Sequence, residues 1–112
     1  MLNKQNRLKK RKEFAYMYRK GDAVHTKYLT LIITNSYFKQ ARLGFSVSKK
    51  VGKAHTRNLI KRRLTEIVKT MMDNITPKYN YILVAKPGVD ELSFEALQKE
   101  VKTLFTKSGH YE

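Results

Sequence analysis

The first regular pattern of apolar residues lies near the N-terminus. Phe14, Met17 and Tyr18 fall at helical spacing, and Gly21 stands where a helix would end, so a short helix is predicted for residues 11–20. The ten residues before it are basic and have no hydrophobic period. We expect them to form an extended, partly flexible segment that orders fully only on a partner.

Two further helices are predicted downstream. The longer one lies within residues 48–73, with Thr56 as its predicted N-cap. Its core-facing stripe consists of Ile60, Leu64, Ile67, Val68 and Met71. The last helix should begin after the N-cap Ser93 and end near Thr106, ahead of Gly109. Its core-facing stripe consists of Phe94, Leu97, Val101, Leu104 and Phe105.

Between the helices, β-branched and aromatic residues predict strands. Residues 23–35 should form one strand or two, and residues 79–85 a further one. Residues 42–48 alternate in character. One side of this strand consists of Leu43, Phe45 and Val47, and the other of Gly44, Ser46 and Ser48. The small side leaves room for a ligand. We therefore predict one α+β domain that covers residues 1–112.

The charge of the chain identifies the class of its partner. There are 24 Lys and Arg residues against 9 Asp and Glu, which gives a net charge of +15. Residues 1–63 hold 18 basic and 2 acidic residues, whereas residues 64–112 hold 6 basic and 7 acidic ones. Such asymmetry predicts a positive face that binds a polyanion, with RNA as the first candidate. A generally basic, soluble surface is the plainer alternative.

Composition also bears on location. The chain has no cysteine, which is compatible with a reducing cytoplasm, and so it offers neither a disulfide nor a thiolate metal site. No apolar run approaches the roughly 18 to 20 residues that span a bilayer, and no secretory signal follows the basic N-terminus. We expect a cytoplasmic protein without a membrane partner.

The basic excess is concentrated between Lys49 and Arg63, a stretch that contains no acidic residue. If the apolar stripe of the long helix faces inward, its charged side chains line up on the exposed side. This side consists of Arg57, Asn58, Lys61 and Arg62, continued by Thr65, whereas Arg63 lies on the opposite flank. An ordinary solvated helix face is the alternative interpretation. The position of the run at a strand-loop-helix junction favours RNA binding.

The loop that leads into this helix adds more positive charge. Lys49, Lys50 and Lys53 surround a glycine, which permits close approach of the backbone. With the predicted N-cap directly before them, Arg57 and Asn58 would lie in the first helical turn. Free N–H groups and the helix dipole favour an anion there, so main chain and side chains would hold a phosphate together.

The string SVSKKVGKAHTRNLIKRRLTE resembles the signature of the bacterial ribonuclease P protein component, in which a strand leads through a glycine-containing loop to an Arg-Asn-x-x-Lys-Arg helix. The resemblance extends to the Arg-Leu-Lys-Lys element at residues 7–10, to the pair Phe14 and Tyr18, and to the order of elements through Phe105. It covers nearly the whole chain.

This resemblance implies a fold and a function. The fold is a single-domain α-β sandwich of order αβββαβα with a left-handed βαβ crossover, similar to domain 2 of ribosomal protein S5. The function is that of the protein subunit of ribonuclease P, an endonuclease that removes 5′ leaders from precursor tRNA. The family implies that the catalytic groups belong to the RNA subunit, with Mg²⁺ in the holoenzyme. It implies no cofactor bound by the protein alone and no small-molecule substrate.

The resemblance also implies two binding surfaces. The catalytic RNA would contact Lys49, Lys50, Lys53, Arg57, Asn58, Lys61, Arg62 and Arg63. A cleft between the first helix and the sheet would accept the single-stranded leader. This leader-binding cleft consists of Phe14, Tyr18, Ile32, Ser46 and Ser48. The two rings suit base stacking in a positive groove, although core packing is the equal alternative for Phe14.

The chain departs from the family pattern at three positions. Leu59 and Thr65 stand where relatives commonly carry basic residues, and Ile32 stands where they often have an aromatic residue. The basic side of the long helix is therefore shorter by one charge, and the cleft has fewer rings for stacking.

Nuclease chemistry is not visible in the sequence. A protein nuclease needs clustered carboxylates for metal ions or a His pair for acid-base catalysis. The candidate residues are Asp90, Glu91, Glu95 and Glu100 with His25, His55 and His110, and they share no ligand-like spacing. We expect neither a catalytic residue nor a metal site in the protein.

Two other functions remain open on the residues alone. A ribosomal or ribosome-assembly protein would show the same basic surface and bind folded RNA. A regulator of double-stranded DNA would need a dimer and a recognition helix with an exposed base-reading face.

Overall fold

A computed structural model describes residues 2–112 as a four-stranded sheet covered by helices on both faces. Its helices and strands are α1 (Arg11–Lys20), β1 (Asp22–His25), β2 (Leu29–Asn35), β3 (Arg42–Val47), α2 (Ala54–Met71), β4 (Tyr79–Ala85) and α3 (Phe94–Ser108). Short 3₁₀ turns occupy Lys4–Asn6, Met72–Asn74 and Val89–Glu91. The predicted order αβββαβα is confirmed, and the stretch that allowed one strand or two contains two.

The strands lie in the order β1-β2-β4-β3. The first two pairs of neighbours are antiparallel, whereas β3 and β4 are parallel and are joined through α2. This connection is the predicted βαβ crossover; its left-handedness and the similarity to domain 2 of ribosomal protein S5 stay predictions. Since β3 is an edge strand, the loop that follows it lies beside both faces of the sheet.

The main core lies between the sheet and the pair α2 and α3. All five predicted core residues of α2 are buried, against strand residues such as Leu31 and Tyr81. Strand β2 is nearly continuously apolar, because both faces of this strand are covered. The core prediction is wrong at Phe94, which begins α3 and is 37% exposed.

Helix α1 covers the second face of the sheet. Met17 is 1% exposed and packs in a small cluster with Leu8, Ile32 and Ile82. Phe14 borders the same cluster and is half-buried. A Cβ on Gly21 would lie 2.7 Å from the carbonyl oxygen of Met17, so glycine allows the chain to leave α1 close to the sheet.

The helix ends test the capping predictions. Ser93 caps α3 as predicted, since its Oγ accepts the Ala96 N–H at 3.1 Å, and the left-handed Gly109 (φ 81°) ends that helix two residues later than expected. The predicted cap of α2 is wrong. The helix begins at Ala54 with Lys53 as N-cap and without a side-chain cap, because the Lys53 carbonyl already accepts the Arg57 N–H at 3.0 Å.

The N-terminal segment differs from the prediction of an extended chain. Lys4–Asn6 form a 3₁₀ turn, and Leu2 and Leu8 are each 5% exposed. Two hydrogen bonds fix the segment beside β3: the Asn6 Nδ2 donates to the Ala41 carbonyl at 2.8 Å, and the Leu8 N–H donates to the Leu43 carbonyl at 2.9 Å. Its partial flexibility stays a prediction. Across residues 2–112, no helix is both long and apolar enough to traverse a bilayer.

Candidate nucleic-acid interface

The first candidate surface is the exposed side of α2, here named the basic flank and defined as Arg57, Asn58, Lys61 and Arg62. Asn58, Lys61 and Arg62 are exposed, and Arg57 is half-buried. The Arg57 Nε is buried and has no hydrogen-bond acceptor among the residues that the structure describes. Arg63 is half-buried on the other side of the helix, away from this row. The burial of the α2 stripe thus directs Asn58, Lys61 and Arg62 toward solvent, whereas Arg57 stays partly covered.

Two neighbours limit the length of the basic flank. The Thr65 hydroxyl donates to the Lys61 carbonyl at 2.7 Å, one turn back, and is therefore occupied within the helix. Leu59, which is 38% exposed, interrupts the polar surface near the start of α2. The charged surface is therefore interrupted at these two places; that relatives carry basic residues there stays a prediction.

The second part of this surface is the lysine loop, defined as residues 48–53. The Val51 N–H donates to the Ser48 carbonyl at 3.1 Å, which closes a turn, and the Val51 side chain is buried at 6% exposure. This anchor leaves Lys49, Lys50 and Lys53 exposed. The loop therefore presents three cations without an acidic neighbour in sequence.

The early start of α2 corrects the predicted anion site. Because the Arg57 N–H is bonded to the Lys53 carbonyl, Arg57 and Asn58 lie beyond the first turn. The N–H groups that face outward at this terminus belong to Ala54, His55 and Thr56. Arg57 and Asn58 thus offer side chains only. A helix that began after Thr56 would leave His55 outside its first turn, so the sequence does not predict His55 at this site.

The second candidate surface is the leader cleft, between α1 and the part of the sheet that α1 leaves uncovered. The register aligns Ser46, Val84, Thr30 and His25 in one row across all four strands. Phe14 and Tyr18 lie four residues apart and therefore on the same side of α1. Tyr18 is 50% exposed. The sequence did not identify the three row residues besides Ser46, because their alignment depends on strand register.

Phe14 and Ile32 form the base of the leader cleft. The Phe14 ring lies directly on Gly44, where a Cβ would clash with it. The space that the small Gly44 leaves on this face is thus filled by the chain's own ring. Ile32 is 8% exposed and packs beneath α1, so it supports the cleft and contributes little surface. Tyr18 is the accessible ring of the predicted pair.

Basic side chains also stand at the β1–β2 end of the cleft. The Lys86 Nζ donates to the Thr26 carbonyl at 2.7 Å, and the Lys107 Nζ donates to the His25 carbonyl at 3.2 Å. The His25 Nδ1 lies 3.0 Å from the Thr30 Oγ1, which fixes the ring against the row. The Lys86 ammonium group is therefore a second positive charge beside the row, far along the chain from the lysine loop, whereas Lys107 reaches this end from α3 on the opposite face of the sheet.

The two surfaces meet at the end of β3. Ser46 lies in the cleft and is half-buried, Ser48 is exposed, and Lys49 follows as the first cation of the lysine loop. Because β3 is an edge strand, its end adjoins both the cleft on one face and the start of α2 on the other. The cleft and the basic flank therefore adjoin each other at this end of the strand.

The two groups with shifted pKa values, Tyr81 and His110, lie outside both candidate surfaces. Burial, with a smaller contribution from Tyr79, raises the pKa of Tyr81 far above its ordinary value, and burial lowers the pKa of His110. Tyr81 packs in the main core and His110 beside it, with the two side chains 3.3 Å apart. Among residues 2–112, no three His, Asp or Glu side chains stand close enough to hold a metal ion.

Residues 2–109 match the protein-family model described as Ribonuclease P. The ribonuclease P protein component of Natranaerobius thermophilus is 39% identical over 101 residues, which cover 90% of this chain and 88% of the relative. That of Bacillus pumilus is 34% identical over 112 residues, covering 99% and 94%.

Solved structures agree with this fold. The RNase P protein of Staphylococcus aureus superposes with a TM-score of 0.89 at 28% identity, covering 96% of this chain and 98% of that one. The RNase P protein of Thermotoga maritima superposes with a TM-score of 0.83 at 23% identity, covering 90% and 96%, and supports the fold alone.

Proposed function

Since the chain belongs to the bacterial ribonuclease P protein family and is thus the protein subunit of a tRNA 5′-processing ribonucleoprotein enzyme, we propose how its surfaces are used. The basic flank and the lysine loop bind the catalytic RNA subunit, which is its partner. The leader cleft binds the single-stranded 5′ leader of precursor tRNA. Together they assist endonucleolytic 5′ maturation.

One observation carries this proposal: the acid-free stretch from Lys49 to Arg63 lies at the same strand end as the open cleft. Lysine and arginine heads that neutralise phosphates release condensed counterions, which supplies affinity without reading sequence. A large structured RNA offers many such phosphates. The cleft beside it is then positioned to receive a strand that leaves the same assembly.

The chemistry of the cleft suits a single strand. Successive bases stack on aromatic rings inside positive grooves, and Tyr18 provides an exposed ring on the α1 side. The hydroxyls of Ser46 and Ser48 can donate to or accept from phosphates and ribose 2′-hydroxyls. Recognition by stacking and backbone contacts tolerates different leader sequences.

The protein supplies binding and orientation in this scheme, and the RNA supplies the chemistry. We place the catalytic groups and the Mg²⁺ ions in the RNA subunit. The protein has no small-molecule substrate and no membrane partner, and it acts in the cytoplasm. The relatives and solved structures that match are ribonuclease P proteins, which favours this function over that of a ribosomal protein.

Reconstitution tests the proposal. Adding the purified protein to a bacterial ribonuclease P RNA at low Mg²⁺ should restore 5′ cleavage of precursor tRNA. A variant with Lys61→Ala and Arg62→Ala should restore less, whereas Lys99→Ala, an exposed lysine on α3, serves as the matched control. No gain in 5′ maturation from the unaltered protein would sink the proposal. Cosedimentation with ribosomal subunits instead would support the ribosomal alternative.

A further inference from the structure

A second groove lies on the opposite flank of α1 from the leader cleft. It has a volume of about 990 Å³, at the upper end of the range of about 300 to 1,000 Å³ that is usual for ligand sites. Tyr16 and Lys20 of α1 form one wall, and Tyr37 and Phe38 of the β2–β3 loop form the other. We name it the aromatic groove. The proposed function does not use it.

Three exposed rings distinguish this groove. Tyr16 is 51% exposed, Phe38 is 53% exposed, and Tyr37 is fully exposed. Each would be better buried if it served the core alone, since an aromatic side chain carries a large apolar surface. On a helical wheel Tyr16 points away from Phe14 and Tyr18, so the rings of α1 serve two different grooves.

Arg42 fixes one wall of the aromatic groove. Its guanidinium lies 4.2 Å from the centroid of the Phe38 ring, a cation-π contact, and its Nε donates to the Asn80 Oδ1 at 3.0 Å. Its terminal nitrogen also forms an ion pair with Glu13. The Phe38 ring is thus held at the groove before any ligand arrives, and the Glu13 charge is neutralised.

The charges that remain in the lining favour a polyanion. Lys12 and Lys20 line the groove and are exposed on α1. Asp22, at the start of β1, is the acidic residue that opposes them. Exposed rings between lysines form the combination that binds single-stranded nucleic acid.

The outer face of α1 connects the two grooves. Ala15 and Arg19 are exposed there beside Lys12, and that face carries no acidic residue. A helix is about 10 to 12 Å across with its side chains, which three or four stacked nucleotides span at about 3.4 Å each. A strand that leaves the Tyr18 side can therefore cross α1 and reach Tyr16.

We propose that the aromatic groove binds the 5′-distal part of leaders that extend beyond the leader cleft. The inference rests on the proposed function, because the strand must first occupy the cleft. Tyr16 and Tyr37 supply stacking surfaces, and Lys12 and Lys20 supply phosphate contacts. Long leaders gain affinity from this groove, whereas short ones end before they reach it.

Leader length separates the two grooves in an experiment. We compare precursor tRNAs whose leaders are about four and about twelve nucleotides long, lengths that lie within the usual range of single-strand binding sites. The short leader should end in the leader cleft, and the long one should reach the aromatic groove. Their affinities are measured with the holoenzyme that contains the unaltered protein, the double variant Tyr16→Ala with Tyr37→Ala, or Tyr18→Ala. Phe94→Ala is the matched control, an exposed ring that lies on α3 outside both grooves.

The double variant should lose at least about fivefold in affinity for the long leader, the effect of one lost stacking contact, and keep its affinity for the short one. Equal losses on both leaders, or none on the long one, would overturn the inference. Even in that case, a loss of affinity for both leaders with Tyr18→Ala would still support the proposed role of the leader cleft. If Tyr18→Ala changed neither affinity, the proposed leader cleft itself would fail.

Photo-crosslinking checks the placement without relying on a variant. A photoreactive uridine near the 5′ end of the long leader should crosslink to the peptide that contains Tyr16 or to the β2–β3 loop. The same group near the cleavage site should not. Crosslinks of the distal position to the α3 peptide alone would also overturn the inference.

Discussion

Replacing Gly44 by alanine tests how the base of the leader cleft is built. Gly44 has no left-handed backbone conformation, so an alanine fits its φ and ψ angles, but the added Cβ would occupy the place of the Phe14 ring. The ring must then move off β3. We expect Gly44→Ala to lower the free energy of unfolding by about 1 to 3 kcal/mol, the usual cost of overpacking.

The effect of Gly44→Ala on the free energy of unfolding should change sign when Phe14 is removed. In a Phe14→Ala background the same added methyl meets no ring, and it restricts the unfolded chain. Gly44→Ala should then stabilise the protein by about 0.4 to 1 kcal/mol. The double-mutant cycle therefore predicts a coupling free energy of about 1.4 to 4 kcal/mol between the two positions, the sum of these two effects.

Urea unfolding of the four proteins measures this coupling. With a slope of about 1 to 3 kcal/mol per molar urea, a loss of about 2 kcal/mol moves the midpoint by roughly 1 M. The displaced ring should also lower leader affinity in Gly44→Ala. Equal destabilisation by Gly44→Ala with and without Phe14 would refute the argument that this ring occupies the glycine.

Two other predictions concern stability. Ser93→Ala should lower the free energy of unfolding by about 1 kcal/mol, because it removes the cap of α3, whereas Thr56→Ala should cost less, because Thr56 does not cap α2; similar urea midpoints for both would contradict this. Burial lowers the pKa of His110 from 6.5, so below that pH the unfolded chain binds more protons and stability should fall as the pH decreases. Replacing His110 by Gln should flatten this part of the profile of unfolding free energy against pH, and an unchanged slope would assign it to other groups.

The elements of the fold were predictable because their signals are local. The α2 stripe repeats with the helical period, and all five of its residues are buried as predicted. Ser93 and Gly109 mark the ends of α3 by their own chemistry, a side-chain acceptor and a left-handed backbone. Edge strand β3 alternates because one of its faces meets the core, whereas the other meets α1 at Gly44 and borders the cleft at Ser46.

The errors arise where tertiary contacts decide. Lys53 is an N-cap without a capping side chain, and its only sign is a backbone hydrogen bond. Phe94 follows the apolar period of α3 but begins the helix at its exposed end. Leu2 and Leu8 are buried although their segment has no hydrophobic period, because β3 offers them backbone partners and a surface.

The site was predictable in its charge and less so in its shape. The acid-free run and its helical phase place the basic flank without any structure. The row across the leader cleft depends on strand register, which joins Ser46 to Val84 and Thr30. The aromatic groove brings Tyr16 beside a loop some 20 residues away in sequence, and no local pattern connects them.

The central claim is that the basic flank and the leader cleft bind different RNAs, and paired variants test it directly. Lys61→Ala with Arg62→Ala should weaken binding of the catalytic RNA. It should also reduce the slope of log affinity against log salt by about 1.4 to 1.8, for two lost phosphate contacts. This variant should not change the preference of the holoenzyme for precursor over mature tRNA.

The measurement that decides is the affinity of the holoenzyme containing Tyr18→Ala for precursor tRNA and for mature tRNA, with catalytic RNA binding measured alongside. We predict unchanged binding of the catalytic RNA and a loss of at least about fivefold for the precursor alone, since only the precursor carries a leader to stack on Tyr18. Equal losses for precursor and mature tRNA would contradict the assignment of the cleft to the leader.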